Sequence, residues 1–380
     1  MNLNILHLYI HIPFCRQACH YCDFHFSTNI SGKKVILEAI QSEINLRNNY
    51  LNDKNLKTIY FGGGTPSLLS PNELELIFKT IQSQFSISKD AEITLEANPE
   101  DLSIEYLQAI YAIGINRLSI GIQSFSEKNL SFLNRNHSLK QSIDSIENAQ
   151  KIGFKKLSLD LIFGIPNYPF KELKKELDLF LQTGANHLST YSLTIEPKTV
   201  FGHQKKKGLF QETKDEEMAN QFEYIMQTLA LNHFEQYEIS NFAKNNEISI
   251  HNSSYWFQEE YVGIGPSAHS FNGISRQWNV ASNGKYVKNI ALGLQFFEKE
   301  ELTKRELLNE FILTRLRTKW GIPLDTFKSM IEEENLEFPI HEINYWQENN
   351  LASIQNNHLI LSPKGKLIAD KLSADIFYLS

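Results

Sequence analysis

Three cysteines, Cys15, Cys19 and Cys22, stand within eight residues of one another, and the 380-residue chain has no others. An odd, clustered set is a poor disulfide framework and a good metal site. The spacing Cys-x3-Cys-x2-Cys puts three thiolates on a single loop, enough for three corners of an iron–sulfur cubane. A four-cysteine ferredoxin site coordinates every corner. Three cysteines leave one iron without a protein ligand, and the amino and carboxylate groups of S-adenosylmethionine (SAM) can chelate it. A 4Fe-4S cluster with SAM on its open iron is therefore expected. The competing arrangement is a zinc site completed by His20 or His25. Zinc sites usually pair ligands from two separated knuckles, and the chain has no second pair of cysteines.

Such a loop needs a rigid frame, and the first two hundred residues predict one. Short apolar, β-branched runs at His7–Ile12, Lys57–Phe61, Glu92–Leu95, Arg117–Ile122, Lys156–Phe163 and His187–Leu193 read as strands. Helical periodicity fills the gaps, with Val35, Ile36, Ala39, Ile40 and Ile44 on one expected face. Ser70-Pro71-Asn72-Glu73 gives a cap, a proline at the first helical position and a glutamate that closes a capping box. Gly114-x-x-x-Leu118-Ser119, Gly153-x-x-x-Leu157-Ser158 and Gly184-x-x-x-Leu188-Ser189 form a weak repeat. Each glycine is placed to close a helix just before a strand opens. The reading is an α/β chain with a parallel sheet, a partial (β/α)6 barrel, with a doubly wound sheet as the alternative. The cysteines then lie just past the first strand, at the end of the sheet where barrel sites collect their working residues.

The expected division is a barrel over 1–195, an extension over 196–295 and a C-terminal unit over 300–380. The extension carries a helix near Glu216–Leu231 and a stretch rich in Tyr, Trp and His. The C-terminal unit reads as mainly helical and winged-helix-like, with a hairpin around Asn356-Asn357 and a last helix after Pro363. From Glu301 onward it holds nine Lys/Arg against twelve Asp/Glu, so packing or partner contact is expected rather than DNA binding. A net charge of −7 likewise argues against broad nucleic-acid binding. No run approaches the ~20 apolar residues of a membrane span. The opening MNLNILHLYIHIPFC lacks a basic n-region and a small-residue cleavage site. A cytoplasmic protein is expected, with peripheral contact at a membrane left open.

Gly62-Gly63-Gly64-Thr65-Pro66 follows the second strand, where glycines let backbone approach a ligand closely. No Gly-Lys-Ser/Thr follows, so it is not a P-loop. At this point a resemblance is plain. YIHIPFCRQACHYCDF resembles the radical SAM superfamily and, within it, the HemN/HemW group of anaerobic coproporphyrinogen oxidases and haem chaperones. FGGGTPS, TLEANPE, RLSIGIQSF, DLIFGIP, YEISNFA, HNSSYW and GIGPSAHS extend it over nearly the whole chain. The resemblance implies that Gly63, Gly64 and Thr65 meet the methionine part of SAM. It also makes Tyr9, Glu96, Gln123, Arg135 and Asp160 SAM ligands. Acid, amide and guanidinium groups suit a ligand that presents ammonium, carboxylate, sulfonium and ribose hydroxyls.

The group divides into two activities. Its oxidases decarboxylate propionate side chains of coproporphyrinogen III by radical chemistry, carry a further cysteine two residues after the third, and have a long N-terminal extension. Here that position is Phe24, and Tyr9 stands eight residues from the start. Both features match the haem-chaperone branch, as does His251-Asn252-Ser253-Ser254-Tyr255-Trp256 with its HNxxYW pattern. The expected activity is thus a SAM-binding chaperone that carries haem to an acceptor protein. The oxidase is the alternative, and a zinc-stabilised structural module a remote third. His251 is the expected axial ligand of haem, with Tyr255 and Trp256 flanking the porphyrin and His269 as second candidate. An electron donor is implied if SAM is cleaved, and a two-fold dimer is left open.

Overall fold

Side chains alternate across each strand, and that alternation decides the architecture. The structure, a computed structural model, describes residues 6–51 and 53–378. Six strands each lead into a helical segment: β1 (Leu6–Ile12), α1 (Lys33–Leu46), β2 (Asn55–Gly63), α2 (Pro71–Gln84), β3 (Ser86–Ala97), α3 (Ile104–Ile113), β4 (Arg117–Gln123), α4 (Glu127–Phe132), α5 (Leu139–Ile152), β5 (Lys156–Phe163), α6 (Phe170–Thr183) and β6 (His187–Ser192). β1 to β6 pair in sequence order, all parallel. This is the partial (β/α)6 barrel the sequence predicts, and the doubly wound alternative is set aside.

One face of these strands is apolar. Leu8, Ile10, Ile59, Phe61, Ile93, Leu95, Leu118, Ile120, Leu157 and Leu159 are buried beneath the helices. The other face, the concave one, carries His7, Tyr9, His11, Thr58, Tyr60, Glu92, Glu96, Ser119, Asp160 and Ser189. A barrel with a polar interior is built to hold something other than its own side chains. The predicted caps form: Ser70 and Glu73 make the reciprocal capping box of α2. Gly114, Gly153 and Gly184 close α3, α5 and α6 with positive φ. One expectation fails on α1. Val35 is 48% exposed, because it sits one step of about 100° off the stripe that Ile36, Ile40 and Ile44 bury with Leu37.

The sheet does not stop at six strands. After α7 (Val200–Lys206) and α8 (Asp215–Leu231), β7 (Glu235–Gln236) and β8 (Asn241–Ala243) extend it beyond β6. After α9 (Ile250–Trp256), β9 (Tyr261–Ile264) pairs parallel to β1. β10 (His269–Phe271), β11 (Ser275–Asn279) and, past α10 (Asn283–Ala291), β12 (Phe297–Glu301) follow outward. Among the described residues the sheet has twelve strands, in the order β12-β11-β10-β9-β1-β2-β3-β4-β5-β6-β8-β7. A buried knot fixes this extension to α1. Glu43 accepts hydrogen bonds from Arg47 Nε at 2.7 Å, Tyr286 OH at 2.6 Å and Gly265 N at 2.8 Å.

A second hydrophobic core lies in the C-terminal unit. It contains α11 (Lys304–Leu316), β13 (Ile322–Pro323), α12 (Leu324–Glu333), α13 (Ile340–Glu348), β14 (Ala352–Gln355) and β15 (His358–Leu361), the order of a winged helix. Asn356 and Asn357 both take positive φ in the hairpin turn, as a two-residue mirror-image turn requires. The last helix is two short ones, α14 (Pro363–Lys366) and α15 (Ala369–Asp375). The unit docks through aromatic and cationic side chains. Trp320 lies against Phe257 at 4.7 Å, and Arg315 and Arg317 lie over Phe257 and Trp256 at 4.6 and 5.4 Å. Among the described residues no helix is long and apolar enough to cross a membrane.

Candidate cofactor site

The cysteine loop leaves β1 at Pro13 and returns at Ser27. Cys15 N donates to Ser27 O at 3.1 Å, and Ser27 N to Pro13 O at 2.9 Å. The segment after β2 pairs with it, Gly64 N to Ile12 O at 2.9 Å and Thr65 N to Phe14 O at 2.7 Å. A Cβ at Gly64 would lie 2.6 Å from Phe14 O, so only glycine lets the two backbones meet. The far side of the loop is held by the segment after α4, where Asn134 Nδ2 donates to Ala18 O at 2.8 Å. Arg16 pairs with Asp101 at 2.7 Å. The loop is thus built against segments from several successive βα units.

All three thiols are half-buried. Thr65 Oγ1 donates to Cys15 Sγ at 3.4 Å and Arg135 Nη1 to Cys19 Sγ at 3.5 Å. Burial pushes the Cys15 thiol up to about 11 and the Cys22 thiol up to about 12. A metal must therefore displace protons to bind here. The histidines of the zinc arrangement point elsewhere: His20 Nδ1 bonds Phe132 O at 3.1 Å and His25 Nε2 bonds Asn283 Oδ1 at 2.8 Å. Among the described residues no group of three His, Cys, Asp or Glu is gathered as a single ion requires. Three thiols on one loop, with donors already aimed at two sulfurs, fit a cubane whose corners take one ligand each.

Behind the loop, the residues expected for SAM converge. Gly63 has φ +108°, and a Cβ there would meet the His11 ring at 2.5 Å. Its amide donates to Glu96 Oε2 at 3.1 Å, while Tyr60 OH donates to Oε1 at 2.8 Å. Burial pushes the Glu96 carboxyl up to about 7, with the nearby Asp160 charge adding to the rise. Burial also raises Asp160 to about 6, against hydrogen bonding from Ser189 and Ser119. Arg135 donates through Nη2 to Asn98 Oδ1 and Gly121 O, each at 2.8 Å, and its buried Nε has no partner among the described residues. Gln123 closes β4 with φ +66°, beside Arg135 across Gly121. Tyr9 stacks on Tyr60 with ring centres 6.1 Å apart and bonds His11 Nδ1 at 3.1 Å. Two half-buried carboxylates, Glu96 without an ion-pair partner among the described residues, fit a ligand that carries an ammonium and a sulfonium. Sequence reasoning missed Tyr60, Asn98 and His11. Strand alternation from Thr58 would have put Tyr60 on the working face.

His251 stands apart from its expected role. It is 1% exposed, and both ring nitrogens are taken, Nδ1 by Thr58 Oγ1 at 2.6 Å and Nε2 by Tyr255 OH at 2.9 Å. Thr58 also bonds His7 Nδ1 at 2.8 Å, and His7 Nε2 bonds Glu259 at 2.8 Å. The ring is stacked on Tyr60 at 4.8 Å. In this arrangement both ring nitrogens are engaged, so ligating a haem iron would require one of these buried hydrogen bonds to break. Trp256 departs from expectation too, because the Arg317 guanidinium of the C-terminal unit lies over its ring. Tyr255 also reaches the concave face, where it meets Tyr261 at 4.8 Å.

Comparison with known proteins agrees with this architecture. Residues 9–180 match the family model of the radical SAM superfamily, and residues 302–368 that of the HemN C-terminal domain. The heme chaperone HemW of Bacillus subtilis is 38% identical over 322 residues, 84% of this chain and 85% of that protein. HemW of Mycobacterium tuberculosis is 31% identical, over 96% of this chain and 92% of the relative. Among solved structures, the radical SAM enzyme coproporphyrinogen III oxidase (HemN) from Escherichia coli superposes with a TM-score of 0.83. That match covers 98% of this chain and 89% of HemN at 20% identity, a likeness of fold. Membership of the superfamily implies a 4Fe-4S cluster and SAM. Sequence, fold and site together place the chain in the HemW family of the radical SAM superfamily.

Proposed function

We propose that this protein is a haem chaperone, which binds haem and passes it to an acceptor protein, with a SAM-bound 4Fe-4S cluster beside the cargo. The observation that carries the reading is the likeness to HemW proteins over most of their length. Phe24 supports it: where the oxidases of the group have a further cysteine, this chain presents an aromatic ring that is 73% exposed. Cys15, Cys19 and Cys22 hold the cluster. Tyr9, Gly63, Gly64, Thr65, Glu96, Gln123, Arg135 and Asp160 hold SAM, with Glu96 answering its ammonium and Arg135 its carboxylate. When bound, the cluster and SAM supply a redox-sensitive centre that gates transfer of the cargo. The barrel of 1–195 supplies the cofactor site, 196–295 widens its concave face, and 300–380 serves partner contact.

The fold likeness to HemN keeps one second reading, oxidation of coproporphyrinogen III. Protein purified without oxygen and reconstituted with iron and sulfide distinguishes the two. It should bind haem in titration and leave coproporphyrinogen III unconverted in the presence of SAM and reductant. Turnover of that substrate at an enzymatic rate would reverse the choice.

A further inference from the structure

The concave face that lines the cofactor site continues past β1. His7 stands opposite Tyr261 on β9, and Tyr261 opposite Phe271 on β10. His269 stands opposite Trp278 on β11, and Phe271 opposite Arg276. Opposed residues share a face and side chains alternate, so these five residues from Tyr261 to Trp278 lie on the face of Tyr9 and His11. The reverse face of β11 is closed: Gln277 and Asn279 are buried and accept hydrogen bonds from Arg47 at 2.8 Å. The concave face is open in part: His269 is exposed, Tyr261, Trp278 and Arg276 are half-buried, and Phe271 is buried between them.

One histidine on this face differs from the rest. His7, His11, His187 and His251 are buried and bonded at both ring nitrogens. Among the described residues His269 has a ring contact, to Trp278 at 6.3 Å and 29° between planes, but no hydrogen bond or ion pair at either nitrogen. The stack holds the imidazole plane and leaves its lone pair free. Around it runs an aromatic row, Tyr255 on Tyr261 at 4.8 Å and Tyr261 on Phe271 at 6.4 Å.

We propose that His269 is the axial ligand through which this chain holds haem iron, with the aromatic face of β9 to β11 against the porphyrin. The assignment rests on the haem-chaperone reading and replaces His251 in it. A free imidazole coordinates iron, and a flat apolar macrocycle is matched by the half-buried rings of Tyr261 and Trp278. Arg276 is already paired with Glu310 at 2.7 Å, and Glu298 and Glu300 stand opposite Trp278 and Arg276. The propionate edge therefore points away from β12. An exposed ligand also suits a carrier. An acceptor's own ligand can replace it without opening the core, as a buried His251 would demand.

The test uses the full-length, cluster-loaded protein titrated with haemin and followed at the Soret band. Wild type should give an imidazole-ligated spectrum. His269→Ala should lose that signature and bind at least about tenfold more weakly, since losing a first ligand exceeds losing an outer-shell partner. Free imidazole should restore the spectrum, while iron content and circular dichroism stay at wild-type values. A His269→Ala protein with the wild-type Soret band and affinity would overturn the assignment and leave the chaperone reading standing. Wild-type protein that takes up no haem would overturn both.

Discussion

Glu96→Gln should make the protein more stable and a worse SAM binder at once. Glu96 sits at the end of β3 with its carboxyl between Tyr60 OH and Gly63 N, and burial raises it from 4.5 to about 7. At about 1.4 kcal/mol per pH unit, the ionised form costs the fold about 3 kcal/mol; solvent reaching a group at the cavity wall lowers that to about 2 kcal/mol. The sign follows from a folded value above the unfolded one. The penalty is absent below pH 4.5, grows as pH rises, and is complete above about 7. Glutamine fits the same partners, since its oxygen accepts from Gly63 and its amide can donate to the Tyr60 oxygen. Urea unfolding followed by far-UV circular dichroism should show the variant about 2 kcal/mol more stable at pH 8 and no different near pH 4.5. SAM affinity should fall about tenfold at pH 8, the worth of a charge-assisted bond, and less at pH 6, where the wild-type group is already protonated. A variant that is less stable at pH 8, or wild-type SAM affinity that is flat from pH 6 to 8, would refute the account of this carboxylate.

Serine at Cys15, Cys19 or Cys22 should each abolish iron binding and the brown colour of protein prepared without oxygen, while the fold survives by circular dichroism. Gly63→Ala forces a Cβ against His11 in a positive-φ position. It should cost about 2 kcal/mol of stability and eliminate SAM binding measured by equilibrium dialysis. His251→Ala strips Thr58 and Tyr255 of a buried partner. Unfolding should show a loss of about 2 to 3 kcal/mol, while the folded fraction takes up haem with wild-type affinity. Trp256→Ala removes the ring beneath Arg317. Limited proteolysis between β12 and α11 should then speed up, with SAM binding retained.

The parts of this fold written in local chemistry could be read before any coordinates. The six parallel strands announce themselves by β-branched runs, the helices by their caps, and the cluster loop by thiol spacing. What escaped is what depends on partners distant in the chain. β10 has three residues and β7 two, too short for any period to register, so the widening of the sheet was invisible. The polar concave face was masked because outer-face residues such as Ile59 and Phe61 make the strand runs look uniformly apolar. His251 shows the limit most clearly. HNSSYW marks the segment as special, but only the approach of Thr58, 193 positions away, reveals an enclosed imidazole.

Backbone hydrogen bonds close the cysteine loop, Cys15 to Ser27, Ser27 to Pro13 and Thr65 to Phe14. The chain itself thus contributes to the shape of that receptacle. In a zinc finger the ion supplies the folding energy, and stripping it destroys the domain. Here an oxidant that destroys the iron–sulfur centre would leave a folded, refillable vessel. Oxidative injury becomes an event to be repaired by reloading rather than by new synthesis.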